Sequence, residues 1–218
     1  MKLTIETIRI KLRRYYMKKT SNLRKKKIKN TDFTIFSNNC WGGFVYQSYG
    51  LAYNSPTIGL FFMAGDYLKF ISEVNKWVYA ELEFIKPENS KYSSHFKNWD
   101  KFGTYPIGKF AGSDIEIHFQ HYNSEDEAYN NWKRRTNRIN WNKVLYKFND
   151  QNLCTSDHIR KFSNLPHKNK ICFTSKDYSI PNTYHIKCPK RYSEIQTSYE
   201  PFGNSRVINV NKLINSIT

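Results

Sequence analysis

Phe33-Thr34-Ile35-Phe36-Ser37-Asn38-Asn39-Cys40-Trp41-Gly42-Gly43 is the stretch that decides how this chain folds. A β-branched and aromatic run stops abruptly at small polar residues, a thiol and two glycines. That is the pattern of a buried strand delivering a loop, and then a helix start, to the edge of a sheet. In open α/β sheets, backbone amides, helix N-termini and short polar side chains converge beyond the carboxyl ends of the strands, and ligands bind there. Residues 37–43 are therefore a candidate binding loop.

The pattern alternates downstream. A short helix or turn is expected at 43–50 and a strand at 57–62. A helix should follow over 66–81, with Leu68, Ile71, Val74 and Val78 on one side, and then a strand at 82–85. Residues 86–103, rich in Lys, Asn, Ser and aromatics, read as a connecting loop. Asp114 to Tyr122 alternates, with Ile115, Ile117 and Phe119 on one face and Glu116, His118 and Gln120 on the other. Ser124 and Glu127 form a capping box for a helix to about residue 138. A strand at 144–148, a helix at 155–164 and a strand at 170–174 complete the periodic part, and an irregular tail is expected beyond residue 177. Strands separated by helices predict a single α/β domain at 31–218, three-layer α/β/α with a largely parallel sheet.

At 218 residues the chain is long enough for one substantial core and short for two. With 39% hydrophobic residues, 15 Phe and 16 Tyr, it can bury enough apolar area to fold. The net charge of +17 is concentrated at one end: residues 1–30 hold twelve Lys or Arg against one Glu. Within that block Ile5, Ile8, Leu12 and Tyr15 recur at helical spacing, so residues 1–30 read as a basic amphipathic extension. Its expected partner is an anionic membrane surface. A charge excess confined to one end disfavours a nucleic-acid groove across the body. Cys40, Cys154, Cys172 and Cys188 have no paired spacing, which points to free thiols in a reducing, cytoplasmic setting. No apolar run approaches the length of a membrane span.

Two places can carry chemistry. Cys40 is a candidate nucleophile, because a strand-to-helix loop can place a thiol at a helix N-terminus that favours its thiolate. Asn38 and Asn39 are suited to hydrogen-bond a ligand, and Gly42 and Gly43 to let one approach the backbone. In the second place, Glu116 and His118 project to the same side of a strand, where a carboxylate can orient an imidazole for acid–base work. His121, three residues from His118, falls on the opposite face of an ideal strand, so no metal site is expected. Arg134, Arg135 and Arg138 lie on one helix as candidate phosphate ligands.

The segments FTIFSNNCWGGFVYQSYGLAYNSPTIGLFF, DYLKFI, YPIG, DIEIHFQHY, NNWKRRTNRINW and NKICFT, in this order, resemble the bacterial family called domain of unknown function 1919, often labelled exopolysaccharide biosynthesis protein. The resemblance spans about residues 32–180 and leaves the basic N-terminus outside it. It implies a cytoplasmic α/β protein of capsule or exopolysaccharide production; the basic extension, read by itself, adds the expectation of a peripheral place at the inner membrane face. Asn38, Asn39, Cys40, Trp41, Gly42, Gly43, Asp114, Glu116, His118, His121 and Tyr122 fall in its motifs, and Gln120 stands where an apolar residue is expected. The resulting expectation is a transferase that modifies or extends a glycan or lipid-linked glycan by acyl or glycosyl transfer. Cys40, Glu116, His118 and His121 would be its catalytic residues. Asn38, Asn39, Trp41, Gly42, Gly43, Asp114 and the three arginines would bind substrate. No cofactor is expected beyond an activated donor, a nucleotide sugar or acyl-coenzyme A. The alternative is a non-catalytic glycan- or nucleotide-binding regulator of polysaccharide assembly.

Overall fold

The computed structural model describes residues 5–188, 192–195 and 207–218. Along them the chain runs α1 (Ile5–Lys19), α2 (Ser21–Lys25), β1 (Thr34–Ser37), α3 (Trp41–Tyr49), α4 (Ala64–Ser72), α5 (Val74–Trp77), β2 (Leu82–Ile85) and a short 3-10 turn. There follow β3 (Ile107–Phe110), β4 (Glu116–His118), α6 (Glu125–Thr136), β5 (Val144–Asn149), α7 (Ser156–Asn164), β6 (Lys170–Thr174), β7 (Thr183–His185) and α8 (Val210–Asn215).

Two sheets result. β1, β5, β6 and β7 pair in that order, all parallel, while β2, β3 and β4 form a separate antiparallel sheet. The α/β class and the parallel sheet agree with the sequence reading; the antiparallel sheet was not anticipated. β3 escaped notice because its four residues include a glycine and a lysine. Gly108 is nevertheless required there, since a Cβ would sit 2.8 Å from the Phe119 ring and 2.9 Å from Leu82.

Strand alternation divides the parallel sheet's side chains between two cores. Phe36, Tyr146, Phe148 and Cys172 join α4, α5, α6, α7 and the antiparallel sheet in one cluster. Ile35, Leu145, Ile171 and Phe173 join Trp41, Val45, Tyr46 and Tyr49 of α3, together with Val210 and Ile214 of α8, in the other. Gly42 lets α3 lie close on β1, where a Cβ would come 3.2 Å from Ile35.

Three expected elements are shorter or broken. Residues 57–62 make one bridge, Phe61 to His118, because Gly59 takes a left-handed conformation (φ 78°) that no ladder continues through. The helix expected over 66–81 divides at Glu73, whose backbone leaves the helical region (φ −131°, ψ 43°). The strand expected over 114–122 keeps only Glu116–His118, and the chain turns at Gln120 and His121.

The basic N-terminus is packed onto the domain. Met17 and Ile28 are buried, and Arg24 Nε donates to the Ser48 carbonyl at 2.7 Å at the end of α3. Lys29 N donates to Asn215 Oδ1 at 2.7 Å, joining the N-terminal segment to α8. The irregular tail expected beyond residue 177 contains β7 and α8, and part of it lies outside the described residues. No helix among the described residues is long and apolar enough to cross a membrane.

Candidate functional site

Polar side chains gather at the carboxyl ends of the parallel strands. Asn38 Nδ2 donates to Asn149 Oδ1 at 2.6 Å, and Asn39 Nδ2 to Gln151 Oε1 at 2.8 Å. Asn39 Oδ1 accepts from the Trp41 backbone N at 3.1 Å and from the fully buried Lys147 Nζ at 2.9 Å. The two asparagines thus hold the ends of β1 and β5 together and start α3. Cys40, half-buried, stands at the N-cap of that helix and accepts Phe44 N at its own carbonyl. A thiol in this position faces the positive end of the helix dipole.

Two clefts meet at Cys40. The first, ≈ 420 Å³, runs between α3 and α6 and is lined by Cys40, Gly43, Phe44, Gln47, Tyr53, Ile58, Gly59, His121, Tyr122, Glu127, Asn131 and Arg135. The second, ≈ 540 Å³, is lined by Asn39, Cys40, Phe61, His95, Phe96, Trp99, Gln120, Gln151, Asn152, Leu153 and Glu194. The segment at 58–62 positions both walls. Phe62 N donates to the Asn38 carbonyl at 3.0 Å, Phe61 exchanges backbone bonds with His118, and His121 N donates to the Gly59 carbonyl at 3.0 Å. The turn at Gln120 and His121 therefore directs one side chain to each cleft.

The expected pairing of Cys40 with His118 is corrected by this arrangement, and it is His121 that lines the first cleft together with Cys40. His118 is fully buried and lines neither cleft. Its ring stacks on Phe61 at 4.6 Å between centroids, with Tyr92, Phe96 and Tyr105 around it. Burial, assisted by the Lys91 charge, pushes its pKa down to about 3, so it is a neutral core histidine at physiological pH.

Glu116 does not orient His118 either. It is buried and accepts from Ser90 Oγ and from Lys91 N at 2.8 Å, which pins the 86–103 loop to β4. Asp114 is exposed and paired with Lys69 at 2.6 Å, a contact that lowers its pKa; it lines neither cleft. Trp41 is core, packed on Phe173, Gly42 serves helix–strand packing, and neither lines either cleft. Asn38 is buried in the strand-end network, whereas Asn39 and Gly43 do line a cleft. Of the three arginines only Arg135 reaches the first cleft. Arg134 and Arg138 are exposed, with Arg134 bound to Asn131 Oδ1.

Among the other thiols, burial pushes Cys154 up to about 12 and raises Cys172 well above its usual range, so neither supplies a thiolate. No group of three or more metal-ligating side chains occurs among the described residues. Sequence reasoning missed Tyr53, Glu127 and the second cleft's Phe96, Trp99 and Asn152. The density of aromatic residues in a loop that is otherwise polar was the available signal.

Residues 11–217 match the family described as Domain of unknown function (DUF1919). The match starts inside α1, so the basic N-terminus, expected to lie outside the family, is largely part of it. A Haemophilus influenzae protein described as uncharacterized is 30% identical over 194 residues, which is 88% of this chain and 85% of that protein.

Proposed function

The chain belongs to the domain of unknown function (DUF1919) family, and on that premise we propose that it is a transferase modifying a surface glycan, with Cys40 as nucleophile and His121 as its base. The observation that carries this reading is that Cys40 borders both clefts while His121 lines one of them. A thiol placed so can receive a group from a donor on one side and pass it to an acceptor on the other.

Acyl transfer fits these groups better than glycosyl transfer. Cys40, giving its proton to His121, would attack the donor's acyl carbonyl as a thiolate and expel the donor's leaving group, which takes that proton from His121, leaving a thioester and a neutral His121. An acceptor hydroxyl, losing its proton to His121, would attack that thioester and return the thiolate. Glycosyl transfer by paired carboxylates lacks support, because Glu127 and Glu194 line different clefts and Asp114 and Glu116 line neither. The second cleft, lined by the rings of Phe96 and Trp99 beside the carboxamides of Asn39, Gln120, Gln151 and Asn152, has the chemistry to stack and hydrogen-bond a sugar acceptor. Ile8, Leu12, Tyr15 and Tyr16 of α1 are exposed beside Lys18 and Lys19, and this supports attachment to anionic lipid.

Cys40→Ala and His121→Ala, expressed in cells lacking the wild-type gene, should both abolish modification of the surface glycan while leaving thermal stability near wild type. His118→Phe should retain modification. Full modification in both cleft variants refutes the transferase and favours the non-catalytic regulator.

A further inference from the structure

We infer that the Nε–Nη2 edge of Arg135 is an oxyanion subsite in the first cleft, taking a phosphate or carboxylate group of the donor; the inference rests on reading that cleft as the donor side. Arg135 projects from α6 and is only 7% exposed. Its Nη1 donates to the Ile58 carbonyl at 3.1 Å and to the Tyr122 hydroxyl. The guanidinium carbon lies 5.0 Å from the Tyr53 ring centre and 5.9 Å from that of Tyr122, so the plane of the group is held by two aromatic rings. Nε is buried with no hydrogen-bond partner, and Nη2 makes none among the described residues.

No carboxylate among the described residues forms an ion pair with it. Glu127, which lines the same cleft, accepts instead from Asn123 N at 2.8 Å at the start of α6. A buried charge without a partner is costly. Buried polar groups in folded proteins are nearly always satisfied, and Arg135 lines the first cleft, so the partner of its guanidinium is sought there. The Nε–H and Nη2–H bonds of a guanidinium are parallel and spaced for two oxygens of a single carboxylate or phosphate. Arg134, on the same helix, and Arg138, beyond the end of that helix, are exposed and have no such enclosure.

The test is calorimetric titration of the full chain with inorganic phosphate, pyrophosphate and malonate. Wild-type protein should bind at least one of them, and preference between the phosphates and malonate identifies the kind of oxyanion. Arg135→Gln should weaken binding about ten-fold or more, the scale of a lost charge-assisted pair. Arg135→Lys, which keeps the charge and the α6 position but lacks the fork, should also bind more weakly than wild type and decides the matter should Arg135→Gln fail to fold. Arg138→Gln, which removes an exposed charge outside both clefts, should bind as wild type. Absence of binding by all three probes up to about 10 mM overturns the inference, as does folded Arg135→Lys binding within about two-fold of wild type. Anion binding with an inert Cys40 would sink the transferase alone, and a reactive Cys40 without anion binding would sink the subsite alone.

Discussion

Replacing His118 with Phe should make the protein more resistant to acid, by an amount that follows from where the imidazole sits. The ring is buried against Phe61, its Nε2 has no hydrogen-bond partner among the described residues, and its Nδ1 lies 3.3 Å from the Tyr105 hydroxyl. Burial first, and then the Lys91 charge, lower its pKa to about 3, whereas in the unfolded chain it titrates near about 6.5. Between those values the unfolded chain binds a proton that the folded chain refuses. Stability from this residue is therefore fully present above about pH 6.5 and is lost as the pH falls. Each unit of pH in that window is worth about 1.4 kcal/mol, so at about pH 4.5 the wild type should have lost about 3 kcal/mol through His118 alone. Phe has no proton to gain and can keep the stack on Phe61. Urea unfolding of wild type and His118→Phe, from about pH 7.5 to about pH 4.5, gives the difference directly, because every other titrating group cancels between two chains that share it. The gap should move in favour of the variant by about 3 kcal/mol across that range. Two stability curves that run parallel with pH, or a variant that loses more than wild type, would refute the neutral buried imidazole. With it would go the argument that His118 is scaffold and His121 is the reactive histidine.

Gly108→Ala should cost about 1–3 kcal/mol in urea unfolding, because the new methyl would lie under 3.0 Å from both Phe119 and Leu82; a change below about 0.5 kcal/mol would show that β2 and β4 yield easily. Glu116→Ala should free Ser90 Oγ and Lys91 N and speed hydrogen exchange through the 86–103 loop. The rate of Cys40 alkylation by iodoacetamide should stay near wild type, and a large fall in it would return Glu116 to the reactive site.

How much could be read in advance is best seen residue by residue. The apolar run ending at Ser37, the capping residue Ser124, and the β-branched or aromatic content of β5 and β6 are local signals. Each states its own conformation, so β1, α6, β5, α7 and β6 were legible within a residue or two. The loop at Asn39 and Cys40 was legible for the same reason, since a strand that stops at small polar residues must deliver them to a sheet edge. The Asp114–Tyr122 strand misled because strict alternation describes an isolated strand, and this one stops when His121 N finds the Gly59 carbonyl. Glu116 and His118 lie on one side of the strand in either reading, but their partners, Ser90 and Phe61, come from distant segments that no periodicity reveals.

Local sequence thus determined which segments are strands and helices, that Cys40 stands at a helix start on a strand end, and that the basic charge is gathered at one terminus. These depend on backbone preference and on neighbours within a few residues. Tertiary packing alone decided that His121 rather than His118 shares a cleft with Cys40, that Arg135 is enclosed while Arg134 and Arg138 are solvated, and that Trp41 is core. The physical reason is that a side chain's solvent access and charge environment are set by the segments folded over it, here residues 53–62 and 86–103. That covering is paid for by contacts between residues far apart in the chain.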